Sequence, residues 1–224
     1  MNLLNRLFAA SCAALVLSVW SAGAVAQTTR AQASANVDLS ARLKEAQANP
    51  KLADDLFKTG QKVASFCANC HGDGGNSTKP EIPNLAGQNP AYLLEQTRQF
   101  ADGRRKNEFM EGMIKALQAD EKVGMVLFYA RQTVTPQKTN ANAATVAKGK
   151  DYFSKICWRC HGEDGRGNEK FARVAGQQPV YLATTLKRYR TGVGARTDPL
   201  MAASTKLMTD ADIDAVVAYV SSMD

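Results

Sequence analysis

The two histidines of the 224-residue chain, His71 and His161, occupy the same chemical setting. Each directly follows a C-x-x-C: Cys67-Ala-Asn-Cys70-His71 and Cys157-Trp-Arg-Cys160-His161. C-x-x-C-H is the attachment signature of a c-type haem. Two thiols three positions apart on one helical turn can each bond a haem vinyl group, and the imidazole that follows can reach the iron. Three other chemistries use cysteine pairs. A structural zinc site needs a Cys₄ or Cys₂His₂ set, which would join segments 90 residues apart and leave both histidines idle. A thioredoxin-type redox pair sits near a βαβ pattern, and none is visible. Structural disulfides would not explain the histidines.

The rest of the chain shows why the motif occurs twice. Gly60 to Cys67 lies over Gly149 to Cys157, Leu85-Ala-Gly-Gln-Asn-Pro-Ala-Tyr-Leu93 over Val174-Ala-Gly-Gln-Gln-Pro-Val-Tyr-Leu182, and Phe100-Ala-Asp-Gly over Tyr189-Arg-Thr-Gly. The offset stays between 89 and 91, so one unit is duplicated. Each unit reads as helical. Leu182, Leu186 and Tyr189 share a face, as do Ile213, Val216, Val217 and Val220; Leu93, Thr97 and Phe100, then Val123, Leu127 and Ala130, repeat the pattern. Gly/Pro/Asn-rich stretches at 72–90 and 162–179 read as loops. A unit this small has too little apolar side chain to fill a core alone.

The register selects a second iron ligand for each unit. No histidine is left, and every cysteine but Cys12 is used for attachment. Of the methionines, Met110 faces Met201, whereas Met113 faces Ser204, Met125 faces Val216 and Met208 faces Leu117. Met110 and Met201 are therefore the expected axial ligands, core filler being the alternative, with Met113 the fallback in the first unit and Met208 expected in the core. Arg105 and Arg196, five residues before each methionine, are candidates for haem-propionate contacts, with plain exposed arginines as the alternative. Tyr92 and Tyr181 match in register and either donate to a propionate or pack. Trp158 is expected at a partly exposed haem edge. The Pro83 carbonyl is a candidate to hold the Nδ1 of His71.

The N-terminus carries Arg6, an apolar run from Leu7 to Trp20 and the small-residue end Ala24-Val25-Ala26. It reads as a signal peptide, residues 1–26, cleaved after Ala26; an uncleaved anchor is the alternative. Export to a periplasm follows. Residues 27–56 form an extension with a helix over Asp38–Ala48, capped by Asp38 and ended before Pro50. Residues 57–132 and 146–224 are the two units, and the polar stretch 133–145 is a linker of modest flexibility. The net charge is +7. It favours acidic partners or is a solvated basic surface. No nucleic-acid-binding pattern accompanies it, and no small-molecule substrate is indicated.

These residues resemble the cytochrome c4 family over about residues 57–224. The resemblance rests on both C-x-x-C-H motifs with the glycine-rich turn after them, the Leu/Val-Ala-Gly-Gln…Tyr-Leu stretches, the Phe/Tyr-x-x-Gly turns and Met110-Glu-Gly-Met113, which is similar to the family's M-x-G motif. It implies an all-α fold of two tandem class I cytochrome c domains about a pseudo-two-fold axis. It implies two covalently attached haem c groups, each with His/Met ligation, and an electron carrier between redox protein partners. Those partners are a respiratory or dehydrogenase donor and a terminal oxidase or reductase, some of them membrane-associated. Alternatives are the cytochrome subunit of a periplasmic dehydrogenase, or a dihaem peroxidase-type enzyme. Two positions depart from the family pattern. Ala172 stands where a proline is expected, so the second histidine's carbonyl contact is open, and Ala203 stands where the glycine of M-x-G would be.

Overall fold

The computed structural model describes residues 37–137, 140–194, 196 and 198–224. The predicted signal peptide at 1–26, its cleavage point, and residues 27–36 of the extension lie outside the described residues. Helix α1 is Leu39–Ala48, and its Leu43 and Ala46 are buried in the first core. Pro50 does more than follow α1. It opens α2, Pro50–His71, where its missing N–H costs nothing, and Asn49 caps that helix by accepting from the Leu52 N–H at 3.2 Å.

The first unit continues with α3 (Pro90–Ala101), α4 (Glu108–Ala116) and α5 (Ala119–Ala130). The second has α6 (Ala143–Tyr152), α7 (Trp158–His161), α8 (Pro179–Thr191), α9 (Pro199–Thr205) and α10 (Asp210–Ser221). No strand occurs among the described residues. The last helix of each unit packs on the helix that leads to the cysteines. In the first unit this crossing is close: a Cβ on Gly60 would collide with the Gly124 carbonyl. In the second, a Cβ on Gly149 would collide with the Ala215 carbonyl. The predicted apolar faces fill the two cores. Val123 and Ile213 are fully buried, and Leu93, Phe100, Leu182, Tyr189, Val216, Val217 and Val220 are buried with them.

Gly149 and Cys157 are one residue further apart than Gly60 and Cys67. The second unit absorbs that residue as a π-helical turn, Phe153–Cys157, between α6 and α7. One added residue in a helix produces such a bulge, and both ends keep their register.

Helix α6 begins at Ala143, capped by Asn142, so the last residues of the expected linker are helical. The first residues of the linker are tied to both units. Thr135 N–H donates to Asn76 Oδ1 at 2.8 Å, and Gln137 N–H donates to the Ser221 carbonyl at 2.9 Å. No helix among the described residues is long and apolar enough to cross a membrane.

Candidate functional site

The last turn of α2 carries Cys67, Cys70 and His71; the π turn and α7 carry Cys157, Cys160 and His161. Each histidine ends its helix because the next residue is glycine at positive φ, Gly72 at 75° and Gly162 at 78°. The chain turns there and folds back. Leu85 and Ala86 N–H groups both donate to the Gly75 carbonyl, and Val174 and Ala175 repeat this on Gly165.

That return brings a carbonyl onto each imidazole. His71 Nδ1 lies 2.9 Å from the Pro83 oxygen and His161 Nδ1 lies 2.8 Å from the Ala172 oxygen. The contact left open at Ala172 is made, because the acceptor is backbone and needs no proline ring. A carbonyl only accepts, so Nδ1 carries the proton and Nε2 keeps its lone pair for a metal. Burial lowers the pKa of both imidazoles against the opposing pull of these bonds; Arg105 adds to the lowering at His71. The lowering favours the neutral imidazole at both positions.

None of these four thiols is paired in a disulfide. Burial raises Cys67 and pushes Cys157 up to about 11. A reactive redox cysteine has the opposite environment.

A cavity of about 1230 Å³ runs through both units. It exceeds the ~300–1,000 Å³ typical for one small ligand. All four cysteines and both histidines line it, with Met110, Met113 and Met125 from the first unit and Met201 and Met208 from the second. Met208 is also buried in the second core. Met110 and Met201 share one local design. Asn107 caps α4 by accepting from the Met110 N–H at 2.9 Å, and Asp198 caps α9 by accepting from the Met201 N–H at 3.0 Å. Trp158 is 40% exposed.

Arg105 and Arg196 also line the cavity, and among the described residues neither has a carboxylate partner. Burial and the neighbouring Arg196 charge lower the pKa of Arg105. Each arginine reaches a tyrosine of the other unit. Arg105 Nη2 donates to the Tyr181 oxygen and Arg196 Nη1 to the Tyr92 oxygen, both at 3.3 Å. The Tyr129 hydroxyl is buried in the same cavity with no oxygen or nitrogen partner among the described residues.

The seam between the units contains residues whose roles the sequence left unassigned. Gln88 and Gln177 are the glutamines of the two matched Ala-Gly-Gln stretches. Each pairs through both amide atoms with backbone of the other unit, Gln88 with Arg173 and Gln177 with Asn84. Their identity in both units was the available signal.

Thiol pairs not joined as disulfides, proton-fixed imidazoles, two arginines lacking carboxylates and a largely apolar cavity fit a covalently held, doubly anionic, planar ring in each unit. Comparison with known proteins agrees. The cytochrome c family model matches residues 57–140 and 146–224. Cytochrome c4 of Thiocapsa roseopersicina is 32% identical over 175 residues, covering 72% of this chain and 89% of that protein. The thiosulfate dehydrogenase electron acceptor of Thiomonas intermedia is 34% identical over 172 residues, covering 71% and 79%. The crystal structure of reduced cytochrome c4 from Pseudomonas stutzeri superposes with a TM-score of 0.68 at 28% identity, over 75% of this chain and 98% of that one.

The chain belongs to the cytochrome c family, as a two-domain, dihaem electron-transfer cytochrome of the cytochrome c4 type. It carries two covalent haem c groups, one for each C-x-x-C-H.

Proposed function

We propose that this protein carries single electrons in the periplasm between a dehydrogenase or respiratory donor and a terminal oxidase or reductase. Residues 57–132 and 146–224 each hold one haem. Cys67 and Cys70, then Cys157 and Cys160, form the thioether bonds. His71 with Met110, and His161 with Met201, are the axial ligands. When bound, haem supplies reversible one-electron iron chemistry whose potential the ligands set, methionine raising it.

The observation that carries this reading is the twin methionine. Met110 and Met201 occupy one register, each in the first turn of an Asn- or Asp-capped helix facing one cavity with the histidines. With protein groups on both faces, no position remains for a substrate. Arg105 and Arg196 balance the propionates, since neither guanidinium has a carboxylate partner among the described residues. Phe66 and Phe109, next to Cys67 and Met110, are 60% and 64% exposed and suit a transient docking face. The relative from Thiomonas intermedia supports a dehydrogenase as donor.

The test is the spectrum of the dithionite-reduced protein with and without carbon monoxide, alongside haem counted per chain. Two haems and no response to carbon monoxide are expected. A response from one haem would mean an open iron and favour the peroxidase-type reading; no haem would overturn the assignment. N-terminal sequencing of exported protein is expected to begin at Gln27.

A further inference from the structure

We infer that Gln88 and Gln177 are positioning residues that act across the domain seam, each tuning the iron-ligating histidine of the opposite domain. The inference rests on the reading above that His71 and His161 bind the irons.

The geometry lies in two peptide groups. The Pro83 carbonyl, which accepts from His71 Nδ1–H at 2.9 Å, belongs to the same peptide as the Asn84 N–H. That N–H donates to Gln177 Oε1 of the second domain at 2.7 Å. In the second domain the Ala172 carbonyl accepts from His161 Nδ1–H at 2.8 Å. The N–H of the same peptide, on Arg173, donates to Gln88 Oε1 of the first domain at 2.6 Å. Each glutamine is fixed by its other amide atom. Gln177 Nε2 donates to the Asn84 carbonyl at 3.0 Å, and Gln88 Nε2 donates to the Arg173 carbonyl at 2.8 Å. The glutamines are only 6% and 8% exposed.

A simple latch has no reason to choose these peptides. Here both domains use the one peptide that holds the partner's histidine, and the arrangement is reciprocal. Hydrogen bonds in series polarise one another where water is excluded. An acceptor on the N–H makes the carbonyl of that peptide a stronger acceptor. The Nδ1–H bond then strengthens, and the imidazole becomes a more basic ligand. A more basic ligand favours the oxidised iron, so each glutamine lowers the potential of the haem it does not share a domain with.

The test uses the full dihaem protein, with each potential measured by spectroelectrochemical titration and assigned to its domain by paramagnetic NMR of the haem methyl groups. Gln177→Met keeps the volume and removes the acceptor. It is expected to raise the potential of the His71 haem alone, and Gln88→Met that of the His161 haem alone. Gln177→Glu keeps an oxygen facing the Asn84 N–H and is expected to hold the parent potential or fall below it. If the methionine variants fail to fold, Gln177→Asn decides the matter: the amide stays polar and uncharged but falls one methylene short of Asn84, and the same rise at the His71 haem alone is expected. Equal shifts of both haems, a shift confined to the mutated domain, no shift with methionine, or an upward shift with Glu would overturn the inference. Failure of the ligation reading would appear separately, in the carbon monoxide response and ligand signals of the unmutated protein.

Discussion

Arg105 reaches across the domain seam to the Tyr181 phenol at 3.3 Å, and Arg196 returns the contact to Tyr92 at the same distance. Both guanidiniums border the cavity, and Arg105 also lies 4.3 Å over the Phe100 ring. Removing a half-buried cation beside an iron centre favours the oxidised, more positive state. Arg196→Leu is therefore expected to lower at least one potential by about 60 mV, one tenfold step for a single electron. Arg196→Lys, which keeps the charge, should lose less. A rise or no change on redox titration would remove the arginines from this role.

The Gly60–Gly124 crossing predicts a contrast between two glycines. Gly60→Ala places a methyl against the Gly124 carbonyl and should destabilise the protein by ~1–3 kcal/mol. Gly112, in helix α4, has nothing within reach of an added Cβ. Gly112→Ala should be neutral or stabilising by up to ~1 kcal/mol. Thermal melts followed by circular dichroism separate the two.

Helix α1 should contribute measurably to the first domain. Leu43 is 4% exposed, and Arg42 holds Asp120 through two contacts at 2.9 and 3.1 Å. Leu43→Ala is expected to cost ~2–3 kcal/mol. Arg42→Ala should cost less, because the pair is half-exposed. Denaturant titration of both variants checks the order, and the haem spectrum should not change.

Asp210 provides a pH signature. Its hydrogen bond from Arg190 at 2.6 Å, then the charge of Lys187, lowers its pKa. A depressed carboxyl stabilises the fold above the unfolded value of about 3.9 and loses that contribution as pH falls through the folded value. Asp210→Asn should therefore melt slightly lower than the parent at neutral pH, with the two melts converging in strong acid. A difference that persists there would refute the linkage.

Much of the site was legible because it is written in local order. C-x-x-C-H needs one helical turn, and an in-register duplication compares every residue with its own copy. That comparison singled out Met110 and Met201, and the structure gives the two one local setting, with Asn107 and Asp198 capping their helices three residues before. The one-residue excess ahead of Cys157 was visible as a count. Its resolution as a π turn needed the fixed points on either side, Gly149 against α10 and His161 under Ala172.

The sequence by itself determined the two thiol pairs, the two imidazoles, the helical faces and the repeat, because each is set by spacing along a few turns. Tertiary structure alone decided what meets across the seam. Arg105 and Tyr181 are 76 residues apart, Arg196 and Tyr92 are 104 apart, and Gln177 lies 93 from Asn84. No periodicity joins such pairs. Their meeting depends on how two folded domains pack face to face and, for the glutamine, on backbone N–H and C=O groups, which every residue but proline carries alike.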